Sequence, residues 1–150
     1  MDQLNFPQYT FQISKTRAGK YFIFDMYRKK KVVLTPEEWV RQHMLRYLVE
    51  EKGFPASLIS SESGIKVNQL SRRYDALVFD RKGKPLLLIE CKATSVPVNQ
   101  AVFDQVLAYN RSAKARYILV TNGLKHFCCR YAEQDGKYEF LHDIPSFNEL

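Results

Sequence analysis

The strongest hydrophobic run in the chain lies at residues 86–92, and it contains two charged residues, Glu90 and Lys92. A short, continuous apolar run is typical of a β-strand that is buried on both faces. A second apolar segment at 75–79 precedes it and is separated from it by a turn-like sequence at 80–85. The two segments therefore predict a β-hairpin.

Clear helix signals lie at residues 35–53, before this hairpin. Thr35 is placed to cap a helix, Pro36 suits the first helical position, and Glu38 completes a capping-box pattern. Gly53, followed two residues later by a proline, predicts the end of this helix just before it. Apolar positions at helical spacing predict a single stripe facing the core.

The rest of the chain alternates between strand patterns and one further helix. The other predicted elements are strands at 11–13, 21–24, 31–34, 64–67, 116–120, 126–131 and 137–141 and a helix at about 98–112. This order favours an α/β fold, a central mixed β-sheet flanked by helices. Within one expected domain, residues 1–150, an extra β-rich N-terminal segment at 1–34 precedes a core of about 35–130.

Composition adds a preference for an anionic partner. The 23 Lys and Arg residues exceed the 16 Asp and Glu residues, which gives a net charge of +7. Nucleic acid is favoured over a membrane, because no basic amphipathic helix stands out and no apolar stretch approaches about 18 residues. With no signal-peptide character at the N-terminus and three cysteines without disulfide or zinc spacing, a cytoplasmic protein is expected.

Glu90 and Lys92 are the first candidates for chemistry, because charged side chains are rarely buried unless they are paired or bound. Strand alternation places them on one face, about 7 Å apart. Asp75 opens the neighbouring segment fifteen residues before Glu90. Two acids and a lysine at one end of a strand pair suggest metal-assisted chemistry. A salt-bridge cluster without a metal is the alternative, although partly buried ion pairs contribute little net stability.

The pattern of Asp75 followed by Glu90-Cys91-Lys92 resembles the D…ExK core of the PD-(D/E)XK nuclease superfamily. Gln105 and Tyr109, on the helix after this strand, are similar to the QxxxY motif of its recombination-repair exonuclease branch. From Thr35 to about Cys128 the chain looks like the N-terminal domain family of type I restriction enzyme R subunits. The segments that carry this last resemblance are Pro36–Gln42, Arg73–Asp75, Ile89–Lys92 and Val120–Gly123.

The resemblance implies a restriction-endonuclease-like fold and a Mg²⁺-dependent nuclease, or nuclease domain, that acts on DNA without the helicase motor of a whole R subunit. Mn²⁺ is an alternative ion. Asp75 and Glu90 would be the metal ligands, with the backbone carbonyl of Cys91 as a third. Lys92 would orient the attacking water and offset charge on the phosphate.

Several other polar residues have two possible interpretations, one functional and one structural. Gln105 and Tyr109 share a helix face, which would hold the scissile strand or support Lys92, or would simply be exposed. Arg72 and Arg73 adjoin Asp75 and are the best phosphate contacts, ahead of the basic stretches at 29–31 and 81–84. The sequence favours a surface ion pair for Glu37 and Arg41, although these residues could instead reach the site as an extra metal ligand or phosphate contact. It favours a capping role for Glu38 and core packing for His126, Cys128 and Cys129, and Glu62 is a remote candidate.

The sequence is also compatible with two functions that do not involve catalysis. The domain could bind nucleic acid without cutting it, or it could be an accessory interaction domain of a defence or repair complex. A homodimer and partner subunits are both compatible with the sequence. Residues 1–34 could cover a sheet edge or form a dimer contact.

Overall fold

A six-stranded mixed β-sheet forms the centre of the protein, and one long helix packs against each of its faces. The computed structural model describes residues 1–61, 64–67 and 70–150, with residues 64–67 and 70–73 described by their backbone only. The elements are β1 (Ile13–Lys15), β2 (Tyr21–Asp25), β3 (Lys30–Val33), α1 (Pro36–Lys52), β4 (Ile59–Ser61), β5 (Gly64–Val67), β6 (Leu70–Arg73), β7 (Ala76–Phe79), β8 (Pro85–Cys91), α2 (Gln100–Ala113), β9 (Tyr117–Thr121), β10 (His126–Ala132) and β11 (Lys137–Phe140).

The central sheet has the strand order β11-β10-β9-β8-β7-β4. Strands β8 and β9 are parallel, and α2 makes the crossover between them that parallel neighbours require. The described neighbours on either side of this pair are antiparallel. Strands β1–β3 form a separate antiparallel sheet, and β5 pairs with β6. The predicted α/β fold with a mixed sheet and a β-rich N-terminal segment is confirmed.

Strand β8 is apolar on both faces because a helix covers each face. Leu87 and Ile89 belong to the core cluster that α1 completes, whereas Leu88 packs with Phe103 of α2. The predicted hairpin of β7 and β8 is also confirmed, and it pairs Ala76 with Ile89. Burial on both sides explains why this strand reads as a continuous apolar run rather than as an alternating one.

Helix α1 begins and ends where its sequence signals predict. The Thr35 hydroxyl accepts a hydrogen bond from the backbone N–H of Glu38 at 3.0 Å, and Gly53 closes the helix in the left-handed conformation, with φ of +71°. The prediction of a single apolar stripe is too narrow, because Arg41, Gln42 and His43 are buried as well. A second layer must therefore cover the other side of α1.

Residues 2–12 provide part of that layer. The Phe6 ring contacts the rings of His43 and Tyr47, and the Trp39 indole donates to the Asp2 carbonyl at 2.9 Å. Further along, the Asn5 N–H donates to the Gly123 carbonyl at 2.7 Å. A side chain at Gly123 would meet Leu4, and its φ of +87° also favours glycine. Residues 2–12 thus pack on α1 and on the loop between β9 and β10 instead of pairing with an edge of the central sheet.

The short strands are the elements that the sequence pattern located least well. Strand β1 lies two residues later than predicted, while β4 and β6 were not predicted at all. Strands of three or four residues contain too few side chains for alternation to stand out. Separately, none of the described helices is long and apolar enough to span a bilayer.

The turn after β2 is joined to α1 by ion pairs. Asp25 is fully buried, and it accepts hydrogen bonds from the Arg28 guanidinium and from the backbone N–H groups of Tyr27 and Arg28. Arg28 also binds Glu38 of α1, with 2.6 Å between Nη2 and Oε1. Burial alone would raise the pKa of Asp25, but its bonds with Arg28 outweigh burial and lower it.

We expect Asp25→Asn to lower the free energy of unfolding by about 3 kcal/mol at pH 7, because the inward-facing Arg28 loses one of its two carboxylate partners and keeps only Glu38. A carboxylate with a lowered pKa stabilises the fold above the pKa of the unfolded chain, about 3.9, and the gain disappears as the pH falls through the folded value. Urea unfolding of both proteins should therefore show a gap at pH 7 that narrows below about pH 4. The exposed substitution Asp143→Asn is the control, and a gap independent of pH would contradict the assignment.

Candidate active site

Asp75 lies where α1 meets the central sheet. It occupies a bend directly before β7, one residue beyond the Ala76–Ile89 pair, and therefore lies across from Glu90. Its Oδ1 accepts from Arg41 Nη2 at 2.6 Å, and its Oδ2 accepts from the Cys91 N–H at 2.6 Å. Each carboxylate oxygen retains capacity for another partner. Asp75 is thus held in one orientation with both oxygens still able to bind.

Glu90 and Lys92 meet beside it, as strand alternation predicts. Lys92 Nζ lies 3.2 Å from Glu90 Oε1, and the Lys92 N–H donates to the Thr121 carbonyl at 2.8 Å. Burial first, and then repulsion from the Asp75 carboxylate, raise the pKa of Glu90 to about 7 although Lys92 opposes them. Burial lowers the pKa of Lys92, but the Glu90 carboxylate outweighs it and raises the value overall. Lys92 is therefore a cation at neutral pH.

Glu37 and Arg41 also reach this site, which was the less favoured of the two interpretations that the sequence allowed for them. Burial and then the Asp75 carboxylate raise the pKa of Glu37, which lies close enough to Asp75 to share a hydrogen bond with it. Arg41 Nη2 is 3.7 Å from Glu37 Oε1. Their spacing of four residues placed them on one helix face. What the sequence lacked was any sign of which helix face turns toward Asp75.

Glu38 lies at the centre of a buried group of cations and does not close a capping box. Its Oε1 accepts from Arg28 at 2.6 Å and from Arg41 at 2.9 Å, while its Oε2 accepts from the Gln42 amide at 2.9 Å. The side chains of Asp25, Arg28, Glu38, Arg41 and Asp75 therefore alternate in charge along one continuous series, which we call the ion-pair chain. It connects the N-terminal sheet to the candidate site.

The remaining candidates are placed less directly. Gln105 is exposed on α2 and, within the described part of the chain, makes no hydrogen bond to Asp75, Glu90 or Lys92. Tyr109 is half-buried and packs against the cluster beneath α2. The side chains of Arg72 and Arg73, in β6, lie outside the described residues, and so does Glu62. The positions of these side chains relative to Asp75 therefore remain predictions.

Two other groups of residues that the sequence singled out do not belong to the candidate site. The basic turn at 81–84 joins β7 to β8 at the opposite end of the hairpin from Asp75. Cys128 and Cys129 are buried, and His126 shares a hydrogen bond of 2.7 Å with the Thr121 hydroxyl. The interpretation as core packing is confirmed for Cys128 and Cys129, whereas His126 is half-buried and contacts the Phe6 ring.

The donor set suits a hard divalent cation. Asp75, Glu90 and Glu37 are crowded carboxylates. Burial and then the charge of Asp75 raise the pKa values of the other two, and a divalent cation among them would favour their charged forms. Within the described ranges, no three His, Cys, Asp or Glu side chains could surround a metal by themselves. An ion here would need water and phosphate oxygens too, which is how Mg²⁺ is usually bound in proteins.

Comparisons with known proteins agree with this architecture. The family model described as type I restriction enzyme R protein N terminus (HSDR_N) matches residues 36–145. No curated protein matches the chain. A solved fragment assigned to the HsdR subunit of a type I restriction enzyme from Vibrio vulnificus YJ016 is similar in fold, with a TM-score of 0.55 and 21% identity. The similarity covers 78% of this chain and 24% of that one, so this chain spans about a quarter of the fragment.

We expect Arg41→Gln to destabilise the protein by about 3–5 kcal/mol, because it leaves the buried carboxylates of Asp75 and Glu38 without their shared guanidinium. Urea unfolding measures the change. The double variant Arg41→Gln/Asp75→Asn should recover part of the loss, since it removes both partners of one pair. Arg130→Gln, which breaks an exposed ion pair, should cost less than about 1 kcal/mol. Equal losses for Arg41→Gln and Arg130→Gln would contradict a structural role for Arg41.

Proposed function

We propose that this chain, which belongs to the type I restriction enzyme R protein N-terminus family, is a metal-dependent nuclease domain that hydrolyses DNA phosphodiester bonds. The observation that carries the proposal is the meeting of Asp75, Glu90 and Lys92 at adjoining strand ends. Fold stability does not account for gathering like charges at one place, because each repels the others. A bound cation and an anionic substrate do account for it.

Asp75 and Glu90 would hold the metal, with Mg²⁺ as the expected ion and Mn²⁺ as a substitute. When bound, such an ion neutralises charge on the phosphate and lowers the pKa of a coordinated water. The chain itself supplies the orientation. Arg41 and the Cys91 N–H fix the Asp75 carboxylate, so that no side-chain rearrangement of this ligand is needed when the substrate arrives.

Lys92 acts in this proposal as a fixed cation. In the reaction a water oxygen forms a bond to phosphorus, the bond from phosphorus to one sugar oxygen breaks, and that oxygen takes up a proton. The negative charge that develops on the phosphate oxygens is offset by an ammonium group aimed at them. Because the pKa of Lys92 is raised, its role is to orient water and to stabilise charge, and not to remove a proton.

The neighbouring residues would bind the DNA strand. Gln105 and Tyr109 would hold the scissile strand from α2, and Arg72 and Arg73 would contact its phosphates. Type I restriction enzymes are multisubunit proteins, and this chain spans only part of the related fragment. From the likeness to a subunit of such an enzyme we propose that the domain works with partner subunits. We propose the cytoplasm as its location.

A catalytically silent nucleic-acid-binding or accessory domain is the second candidate, and one observation favours it. The Arg41 guanidinium lies 2.6 Å from Asp75 Oδ1, where it already supplies positive charge to this carboxylate. A site neutralised in this way could persist without a metal ion. Metal binding and cleavage, measured separately, distinguish the two candidates.

If the carboxylates bind a divalent ion, Mn²⁺ or Mg²⁺ should raise the melting temperature. At a concentration of 100 times Kd, binding to the folded state adds about 2.7 kcal/mol. Differential scanning calorimetry of the parent, Glu90→Gln and Asp75→Asn should show the shift in the parent alone. Glu139→Gln, a change in an exposed acid, should behave like the parent. An equal shift in all four proteins would mean that the ion binds elsewhere.

Cleavage provides the direct measurement. Labelled single-stranded and duplex DNA are incubated with parent, Asp75→Ala and Lys92→Ala in Mg²⁺ or Mn²⁺, beside Lys84→Ala as the control from the remote turn. Removing a group that stabilises charge in the transition state typically slows the reaction about 100-fold or more. Cutting that stops in Asp75→Ala and Lys92→Ala but persists in Lys84→Ala supports the nuclease. The same residual cleavage in the parent and all variants would exclude it.

A further inference from the structure

Nearly all of the net charge of the protein lies in the N-terminal sheet. Residues 13–33 contain seven Lys or Arg residues and one acid, a formal charge of +6, whereas the whole chain carries +7. This span is β1–β3 with its two turns. The family match begins only at residue 36, so family membership assigns no role to the sheet.

The single acid does not neutralise this surface. Asp25 is fully buried and faces inward to Arg28. The other six cations are exposed, and within the described part of the chain none of them forms an ion pair with an acid: Lys15, Arg17, Lys20, Lys29, Lys30 and Lys31. Exposed like charges repel one another, so this sheet is electrostatically suited to an anionic partner.

Aromatic rings lie among these cations. Tyr21 is 48% exposed, with Lys15 Nζ at 5.3 Å from its ring centroid, and Lys20 Nζ lies 5.7 Å from the ring centroid of Phe22. Cationic side chains interleaved with accessible rings are the combination by which proteins follow a nucleic-acid backbone and stack on its bases. The chemistry therefore favours nucleic acid over a simple anion.

The sheet is also linked to the candidate site through buried ion pairs. Lys29 has a positive φ of 54° at the end of the β2–β3 turn, and Lys30 and Lys31 begin β3. All three are exposed, whereas Arg28 in the same turn points inward. Arg28 is the second member of the ion-pair chain, which runs through Glu38 and Arg41 to Asp75. The basic turn and the candidate site are thus held by opposite ends of one buried, rigidly paired series.

We propose that the β1–β3 sheet is a DNA-binding surface whose Lys29–Lys31 turn holds the phosphate backbone beside the strand presented to Asp75. The choice of DNA as the ligand rests on the proposed function, but the binding itself needs neither metal nor cleavage. The sheet supplies affinity that does not depend on base sequence, since contacts to phosphates carry no sequence information.

The test is fluorescence anisotropy with labelled 30-nucleotide single strands and duplexes, in EDTA, over a range of salt concentrations. The variant Lys29→Gln/Lys30→Gln/Lys31→Gln is compared with Arg81→Gln/Lys82→Gln/Lys84→Gln, which removes the same charge from the remote β7–β8 turn. Each lost phosphate contact lowers the slope of log K against log salt by about 0.7–0.9. We expect the first variant to lose about 2 in slope and at least tenfold in affinity, and the second to change less than twofold.

Equal losses in the two variants would mean that net charge alone drives binding, and unchanged binding in the first would mean that the turn is not involved; either result overturns the proposal. So would a larger effect on binding to phosphatidylserine vesicles than to DNA. Failure of the nuclease proposal is distinguishable. If the parent protein binds DNA through the sheet but never cuts it, only the nuclease proposal is refuted. If the parent cuts DNA and the Lys29→Gln/Lys30→Gln/Lys31→Gln variant binds DNA normally, only the proposed role of the sheet is refuted.

Discussion

The pairing of Arg41 with Asp75 and Glu38 is the interaction on which the rest of the arrangement depends. Three charged side chains lie at the contact between α1 and the central sheet, and all three are nearly inaccessible to water. A buried charge without a partner costs several kcal/mol. Glu38 belongs to the same helix as Arg41, so the pair of Arg41 with Asp75 is the one that joins the helix to the sheet, and it also fixes Asp75.

From this constraint the chemistry of the site follows. Asp75 is held by α1 on one side and by the Cys91 N–H on the other, so it stays directed at the end of β8. Glu90 is then close enough to Asp75 for their charges to interact, while Lys92 pairs with Glu90. A group of acids that repel one another beside a cation is poorly explained by stability alone, and it is compatible with the metal ion and the phosphate that we propose.

Arg28 connects the N-terminal sheet to the same arrangement of charges. Its guanidinium joins Asp25 of β2 to Glu38 of α1, so the sheet outside the family match is fixed to the helix that supports the site. Along the other side of α1, the Phe6 ring contacts the Tyr47 ring, and the Trp39 indole donates a hydrogen bond to the Asp2 carbonyl. Helix α1 is consequently buried on more of its surface than a single apolar stripe would predict, and its polar residues Arg41, Gln42 and His43 have become interior groups.

The sequence by itself determined the helices and strands that have strong local signals, and it also determined that Glu90 and Lys92 lie together at the site. The caps of α1, the continuous apolar run of β8 and the alternation that joins Glu90 to Lys92 depend on neighbours within a few residues, so pattern alone suffices for them. The tertiary structure alone decided that Glu37 and Arg41 lie at Asp75 and that Glu38 binds cations instead of capping its helix. Those contacts join α1 to residues up to thirty-eight positions away, and they depend on which helix face the N-terminal segment leaves toward the sheet, a choice made by packing across the whole chain.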